Sequence, residues 1–378
     1  MDLSLTPGQQ MLRDAARDFL TREYPRKVIR EIDETESGFS PELWRQMVDM
    51  GWVGMILPEE YGGMGSSFTD LGVLYEEMGA ACLSSPHHSS VVLGGLTILE
   101  AGNDKQKKKI LPSIASGQRI LAFALTEPDY GWGPGSVKLA ATRKNGHFVL
   151  NGTKLFVPDV QVADQILVVA RTSSRGSPET GITLFLVDKG TAGLSSRILE
   201  GWTGDKLSEV IFNNVEVPAS AVVGRVGGGW APLERVLEKA SIAMCAYSVG
   251  GMQRLLDISV EYSQNRIAFG VPIGTFQRVQ DHVIEIVNDL EAARWTTYEA
   301  LWKLDERQSD APLAISMASV IASEGFPHSA EAAHRVHAGI GIDKEYGLYL
   351  YTKKARSLQH YLGDPVHHRK QVGRLLGM

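Results

Sequence analysis

The sequence predicts an α+β chain of several domains: an all-helical first part, a β-barrel or sandwich in the middle, and a helical last part. Three observations carry that reading. Up to about residue 118, apolar residues recur at helical spacing. Between about 119 and 228, short runs rich in Val, Ile, Leu and Phe alternate with turn residues. From Trp230 the helical spacing returns and persists to the end. At 378 residues the chain is too long for one simple core. The expected segments are a helical domain at 1–118, a β domain at 119–228 and a helical domain at 229–378.

Composition narrows the function classes. Apolar residues make up 43% and charged residues 22%, ordinary values for a globular protein. A net charge of −6 argues against nucleic-acid binding and against a polybasic membrane anchor. Lys105 to Lys109 reads as a solvated helix face. The two cysteines, Cys82 and Cys245, cannot form a disulfide framework; both read as buried packing residues in a reducing compartment. The start, MDLSLTPGQQ, has no charged stretch leading into an apolar one, and no apolar run reaches membrane-spanning length. A cytoplasmic location is expected.

Taken in order, the first helix starts at Thr6, a capping residue, with Pro7 in its first turn and Leu12, Ala15, Ala16, Phe19 and Leu20 as its apolar stripe. PELWRQMVDMGW and FTDLGVLYEEMGAACL continue the helical pattern, separated by a glycine-rich loop at Leu57 to Ser67. Ser89 to Ser116 is a further helical tract. In the middle part, Asn151-Gly152 lies between Phe148-Val149-Leu150 and Thr153 to Val157, the strongest short-range hairpin signal. QILVVART, GITLFLVD and EVIFNNVEVP read as further strands. No G-x-G-x-x-G opens a helix after a strand, so a Rossmann fold is not supported, and Gly227-Gly228-Gly229 reads as a flexible link. The most informative stretch is Glu261 to Arg294: a helical run, a Gly270/Pro272 turn, and a second run whose Val279, Val283, Ile286, Val287 and Leu290 mark one buried face. Read from its residues alone, it is a helical hairpin with a solvated Arg266.

The wording of that stretch, RIAFGVPIGTFQ, closely resembles the Arg-x-x-Phe-Gly-x-Pro-Ile-x-x-Phe-Gln signature of the acyl-CoA dehydrogenase family of flavoproteins. The resemblance covers nearly the whole chain and implies a C-terminal four-helix bundle that also builds a tetramer. It further implies that Arg266, Phe269 and Gln277 reach FAD of a neighbouring protomer, the guanidinium meeting a pyrophosphate. LPEEYGGMGSS and GNDKQKKKILP are similar to two segments of the family's N-terminal domain. LAFALTEPDYGWGPG is similar to its Ala-x-Thr-Glu-Pro-x-x-Gly-Ser-Asp loop, which implies flavin contacts from Phe123, Leu125, Thr126 and Trp132, with Trp132 and Gly133 replacing Ser and Asp. NGTKLFVPDV implies that Phe156, Val157 and Pro158 line the flavin; Pro158 replaces a hydroxyl residue near flavin N5. HRVHAGIGIDKEYG implies approach of Arg335 and Gly339 to the neighbouring cofactor, with Arg335 in place of Gln and Ala338 in place of Gly; Arg335 meets phosphate or caps the surface.

The family removes the α-proton of an acyl-CoA thioester with a carboxylate while the flavin takes a hydride. In the register of its usual Tyr-Glu-Gly-Thr the chain has Tyr361-Leu362-Gly363-Asp364, and the alternative helix register falls on Ala240. Both base positions are apolar. Three explanations stand: a displaced base, Asp364, His360 or Glu238; a heteromeric α2β2 enzyme whose sister subunit carries the Glu; or a scaffold without redox chemistry. Ser241 stands where the family often has an Arg near the thioester, and with Glu238 it is a substrate-binding candidate. The implied activity is oxidation at Cα–Cβ of an acyl-CoA whose acyl group is cyclic, dicarboxylic or sterol-derived. An electron-transferring flavoprotein is the implied acceptor, and the assembly is a homotetramer or an α2β2 heterotetramer. His87-His88 and His367-His368 are adjacent pairs, which lack metal-ligand spacing and read as surface or interface residues. Tyr247 and Met244 read as core.

Overall fold

The structure is a computed structural model that describes residues 4–378. Several helices of the first part open on side-chain caps, the first of them at Thr6 as read from the sequence. The Thr6 hydroxyl accepts from the Gln9 N–H, and Gln9 returns a bond to the Thr6 N–H, opening α1 (Pro7–Glu23). α2 (Arg26–Asp33) follows, then α3 (Pro41–Asp49), capped by Ser40. The Leu57 to Ser67 loop holds one short 3₁₀ turn, Glu59–Tyr61. A reciprocal cap between Ser67 and Asp70 starts α4 (Phe68–Ala80). A fully buried π-helical stretch, His88–Gly95, leads into α5 (Leu96–Ala101) and α6 (Asp104–Ala115).

The middle part is one eight-stranded sheet: β1 (Leu121–Ala124), β2 (Ala140–Lys144), β3 (His147–Pro158), β4 (Gln165–Arg171), β5 (Ile182–Asp188), β6 (Leu194–Ile198), β7 (Leu207–Pro218) and β8 (Val222–Val223). Its order is β6-β7-β3-β2-β4-β5-β8, with β1 parallel to β4. The expected hairpin turn at Asn151-Gly152 does not form. β3 runs straight through that dipeptide, which sits at a register shift against β7. The turn lies six residues earlier, at Asn145-Gly146, where both residues have positive φ (47° and 85°) as a two-residue hairpin requires. The same two-letter signal occurs twice within eight residues, and only strand pairing decides between them. Gly227-Gly228-Gly229 is also not a free link. Gly227 accepts from the Gly181 N–H, and the Gly229 N–H donates to Ile182 O, so the run is stitched to the start of β5.

The last part comprises α7 (Trp230–Asn265), a two-stranded ribbon of β9 (Ile267–Ala268) and β10 (Val271–Pro272), α8 (Gln277–Asp305), α9 (Ala311–His337), α10 (Leu348–Leu358) and α11 (Pro365–Leu375). α9 packs against α8, α10 and α11. On α8, Ile286 and Leu290 are buried and Val279 and Val283 half-buried, but Val287 is exposed, so the stripe read from the sequence is one residue too wide. The chain groups into two compact units. One holds residues up to 32, 67–83 and 241–378 and is helical; the other holds 33–66 and 84–240 and contains the sheet. The first of the three expected segments therefore contributes to both units.

In the helical unit, α4 and α7 touch backbone to backbone. A Cβ on Gly250 would lie 1.7 Å from Glu76 O, and one on Gly79 1.9 Å from Tyr247 O. Neither contact can relax without parting the helices, because the opposing atoms are main chain. Gly250→Ala is expected to lower stability in urea unfolding by about 2–3 kcal/mol. Gly373→Ala, on α11 with open space around its Cβ position, should be neutral or stabilising by roughly 0.5–1 kcal/mol.

Candidate functional site: the strand-end loop and the ribbon tip

In the sheet unit the expected flavin residues lie at the end of β1, in the loop after it and at the end of β3. A buried ion pair fixes this corner. Lys154, fully buried on β3, donates to Glu127 Oε1 at 2.7 Å and to Leu125 O at 2.8 Å. Glu127 in turn accepts from the Lys138 N–H at 2.9 Å and the Leu139 N–H at 3.0 Å. Burial pulls the Lys154 ammonium down to about 8 while Glu127 pulls it back up, so it remains mostly charged at neutral pH. With these four bonds the pair is satisfied in a place where an unpaired charge would be very costly. The Leu155 N–H donates to Thr126 O at 2.9 Å, setting the β3 end beside the loop.

The side chains then divide. Phe123, Leu125 and Val157 turn into the core, so they can meet a ligand through backbone alone. Thr126, Trp132 and Pro158 are half-buried. Phe156 is 41% exposed and has a φ of +55°, inside a second irregularity of β3 between Lys154 and Val157. That bulge breaks the two-residue alternation and turns the ring outward. Tyr130 packs edge-on against both Phe156 (5.6 Å between centroids) and Trp132 (5.1 Å). The result is a partly exposed aromatic surface beside a loop of backbone donors and acceptors, which fits a planar ring ligand such as a flavin. The Tyr130 ring and the Lys154–Glu127 pair were not singled out from the sequence. The signal for Lys154 was its place on the inward side of an otherwise apolar strand.

In the helical unit, Arg266, Phe269 and Gln277 surround the ribbon. Phe269 and Gly270 are its two turn residues, with φ of 53° and 81°. Phe269 is 95% exposed, and the ring it meets is Phe276, 6.2 Å away. A phenylalanine held in the left-handed region at a hairpin tip is strained, and that strain gains nothing from burial within its own chain. Arg266 and Gln277 are exposed. Arg335, also exposed, pairs with Glu331 at 2.6 Å and Glu285 at 3.7 Å, and Gly339 lies on a 3₁₀ turn, Ala338–Ile342.

The base registers hold no carboxylate. Ala240 is fully buried, and its carbonyl meets His88 Nε2 at 3.1 Å. Leu362 has a φ of +59°. Asp364 caps α11: its Oδ1 accepts from the His367 N–H at 2.6 Å. Glu238 and Ser241 are half-buried on α7. Beside this loop is a small cavity lined by Ser241, Met244, Cys245, Tyr361, Gly363 and His368 among others, so Met244 borders a cavity although Tyr247 is core as read. The adjacent histidines are not surface residues: His87, His88 and His368 are buried and His367 half-buried. His87 meets Trp52 O at 3.0 Å. Burial pushes His87, His88 and His368 down to about 4, so all three are neutral at pH 7. Cys82 and Cys245 are buried, and burial pushes the Cys245 thiol up to about 12. Among the described residues no group of three or more His, Cys, Asp or Glu could hold a metal ion, and no helix is long and apolar enough to cross a membrane.

The ion pair yields a test. Lys154→Met leaves Glu127 buried and unpaired, and a loss of about 3–5 kcal/mol is expected in urea unfolding. The double variant Lys154→Met/Glu127→Gln should lose markedly less; additive losses would mean that the two charges are not coupled.

Residues 6–118 match the acyl-CoA dehydrogenase N-terminal domain, 122–215 its middle domain and 227–377 its C-terminal domain. The chain is 34% identical to a cyclohex-1-ene-1-carbonyl-CoA dehydrogenase of Geobacter metallireducens, over 98% of each protein. Its fold is similar to that of PigA with FAD and proline, with a TM-score of 0.93 and 28% identity over 100% of this chain and 99% of that one. It is also similar to a chain of the ChsE4-ChsE5 complex of Mycobacterium tuberculosis, with a TM-score of 0.90 and 27% identity over 100% and 99%. The chain order of helical, sheet-rich and helical parts, the aromatic strand-end corner and these matches together place the chain in the acyl-CoA dehydrogenase family, as an oxidoreductase whose cofactor is FAD.

Proposed function

We propose that this chain is the flavin-holding subunit of an acyl-CoA dehydrogenase-type enzyme acting at Cα–Cβ of an acyl thioester, and that a sister subunit in an α2β2 assembly supplies the base. The observation that carries this is the make-up of the base register: Leu362 and Ala240 are apolar, Asp364 is engaged as a helix cap, and no Asp or Glu lines the adjoining cavity among the described residues. The similarity to a chain of a two-protein complex supports a heteromer. The similarity to a dehydrogenase of a cyclic acyl-CoA supports an atypical acyl group, cyclic before dicarboxylic or sterol-derived.

FAD, when bound, supplies the hydride acceptor. The rest falls to the protein. Thr126 and the backbone around it orient the ring, and Phe156, Tyr130 and Trp132 cover it. Pro158 has neither an N–H nor a polar side chain, so it offers no hydrogen bond to the flavin. Arg266 neutralises a pyrophosphate, and Phe269 and Gln277 hold the adenosine side of a neighbour's cofactor. Arg335, already paired with Glu331 and Glu285, would have to exchange carboxylates for phosphate, and Gly339 would let backbone approach. Ser241 and Glu238 face the substrate side. An electron-transferring flavoprotein takes the electrons, and the two buried thiols fit a cytoplasmic enzyme.

Expressed alone, the chain should show little flavin absorbance, and co-expression with a sister subunit should restore it. If the lone chain carries flavin and bleaches it on addition of an acyl-CoA, the partner part of the proposal fails, and loss of that bleaching in Asp364→Asn would then assign the base. Separately, Phe269→Ala should change the stability of the unassembled chain by less than about 0.5 kcal/mol. It should weaken flavin retention in the assembly by roughly 10-fold, the value of one aromatic contact. Unchanged retention would remove Phe269 from the cofactor site.

A further inference from the structure

In the sheet unit a cavity of about 610 Å³ lies between α6 and the strand ends around Phe148. That volume is within the range of small-molecule sites. Phe148 and Phe156 stand near opposite ends of β3, roughly 25 Å apart along the strand, so the cavity is separate from the flavin corner. Its walls are pinned in place. Gln106 Nε2 donates to Val222 O at 2.6 Å, and Gly224 lies so close to Ala101 that a Cβ would sit 2.5 Å from its carbonyl oxygen. Arg119 Nη1 donates to Gln165 Oε1 and Gln165 Nε2 to Asp188 Oδ1, each at 2.6 Å. A ligand would therefore meet a largely formed site.

The charges in these walls run against the rest of the chain. The net charge is −6, yet the cavity is lined by four cations, Lys105, Lys109, Arg119 and Arg143, and by two acids, Asp188 and Glu216. Asp188 already accepts from Gln165, and Glu216 faces His147 Nε2 at 3.7 Å. Lys105, Lys109 and Arg143 have neither an ion pair nor a hydrogen bond among the described residues. Lys105 and Lys109 stand one turn apart on α6, where like charges repel. The fold gains nothing from that arrangement, and a bound anion would relieve it. Ammonium and guanidinium groups suit phosphate, and cations on two elements, α6 and β2, call for more than one charged group. The two acids disfavour a ligand that is anionic throughout, but a carboxylate accepts from ribose hydroxyls. Leu186 and Val226 offer an apolar surface for a base. We propose that this cavity binds a nucleoside diphosphate, with its phosphates on Lys105, Lys109 and Arg143, its ribose on Asp188 and Glu216, and its base over Leu186 and Val226.

The test is calorimetric titration of the flavin-saturated protein, with its sister subunit where one co-purifies. Saturation with FAD keeps the probe from entering the site of the cofactor's own ADP half. The probes are ADP, AMP, adenosine and inorganic pyrophosphate. ADP should bind about 10-fold tighter than AMP or pyrophosphate, and adenosine should give no measurable heat, because a charge-assisted contact to phosphate is worth roughly that factor. Lys105→Gln/Lys109→Gln removes two exposed charges without touching the core, so it should fold normally. It should weaken ADP binding about 10-fold or more with flavin content unchanged, and Arg143→Gln should weaken it on its own. Lys27→Gln, at an exposed position on α2, should leave ADP affinity as it was. Absence of ADP binding at millimolar concentration overturns the inference. So does ADP binding that survives the lysine and arginine substitutions, which would place it at the flavin or thioester site. Pyrophosphate binding as tightly as ADP overturns the assignment of a nucleoside.

Discussion

The buried ion pair between Lys154 and Glu127 sets the geometry of the sheet unit's functional corner. A lysine on the inward face of a strand is tolerable only if its charge is met at once, and here one carboxylate and one carbonyl meet it. The carboxylate is itself held by two backbone amides of the segment leading into β2. Three pieces of chain, the end of β1, the approach to β2 and the middle of β3, are therefore tied by one network that cannot be loosened piecemeal. Its effect reaches Phe156. With Lys154 fixed inward, strict alternation would put residue 156 inward too, and the positive φ at that residue reverses it. The exposed ring is thus a consequence of two constraints on one strand.

A comparable arrangement governs the ribbon tip. A two-residue turn needs positive φ at both central positions, which Asn and Gly supply readily and Phe does not. Asn145-Gly146 is the unstrained version of this turn in the same chain, and Phe269-Gly270 is the strained one. Placing an aromatic ring there leaves it almost wholly in water. A hydrophobic ring fixed at a strained tip is stabilised when something outside the chain covers it, which is the property expected of a residue that serves another protomer's cofactor.

Much of this was legible in the sequence because it is local. The start of α1 follows from Thr6, whose side chain reaches its own backbone. The strand-rich middle follows from β-branched and aromatic runs. What escaped was decided by partners distant in sequence. Asn151-Gly152 and Asn145-Gly146 carry the same signal, and the pairing of β3 with β7 chooses between them. Gly227 to Gly229 reads as a flexible link until the start of β5 is beside it. His87 and His88 look like surface residues because adjacency excludes a metal site, yet burial under Trp52 and α7 is equally compatible with adjacency. Asp364 could be named as an ionisable residue near the base register, whereas its commitment to the α11 amide became visible only with the helix in place.

That commitment bears on how the chain carries leucine at position 362 and keeps this loop intact. The loop at Tyr361 to Asp364 is shaped by groups other than residue 362. Gly363, at a φ of 136°, lies against His368 with no room for a side chain, and Asp364 anchors the following helix. Leu362 sits between them in the left-handed region, a conformation costing on the order of 1–3 kcal/mol for a non-glycine residue. A leucine would not choose that conformation; its neighbours impose it. The backbone that would present a carboxylate is therefore maintained by Gly363, Asp364 and His368, independently of whether a carboxylate is present. An apolar residue at position 362 is, in folding terms, a choice at one residue whose conformation is already dictated. The same separation holds on α7, where Ala240 fills its buried position without leaving any charge to satisfy. Apolar residues at 362 and 240 thus fit this fold at little cost, while the strained Phe269 and the buried Lys154 keep their shapes only because the surrounding structure holds them.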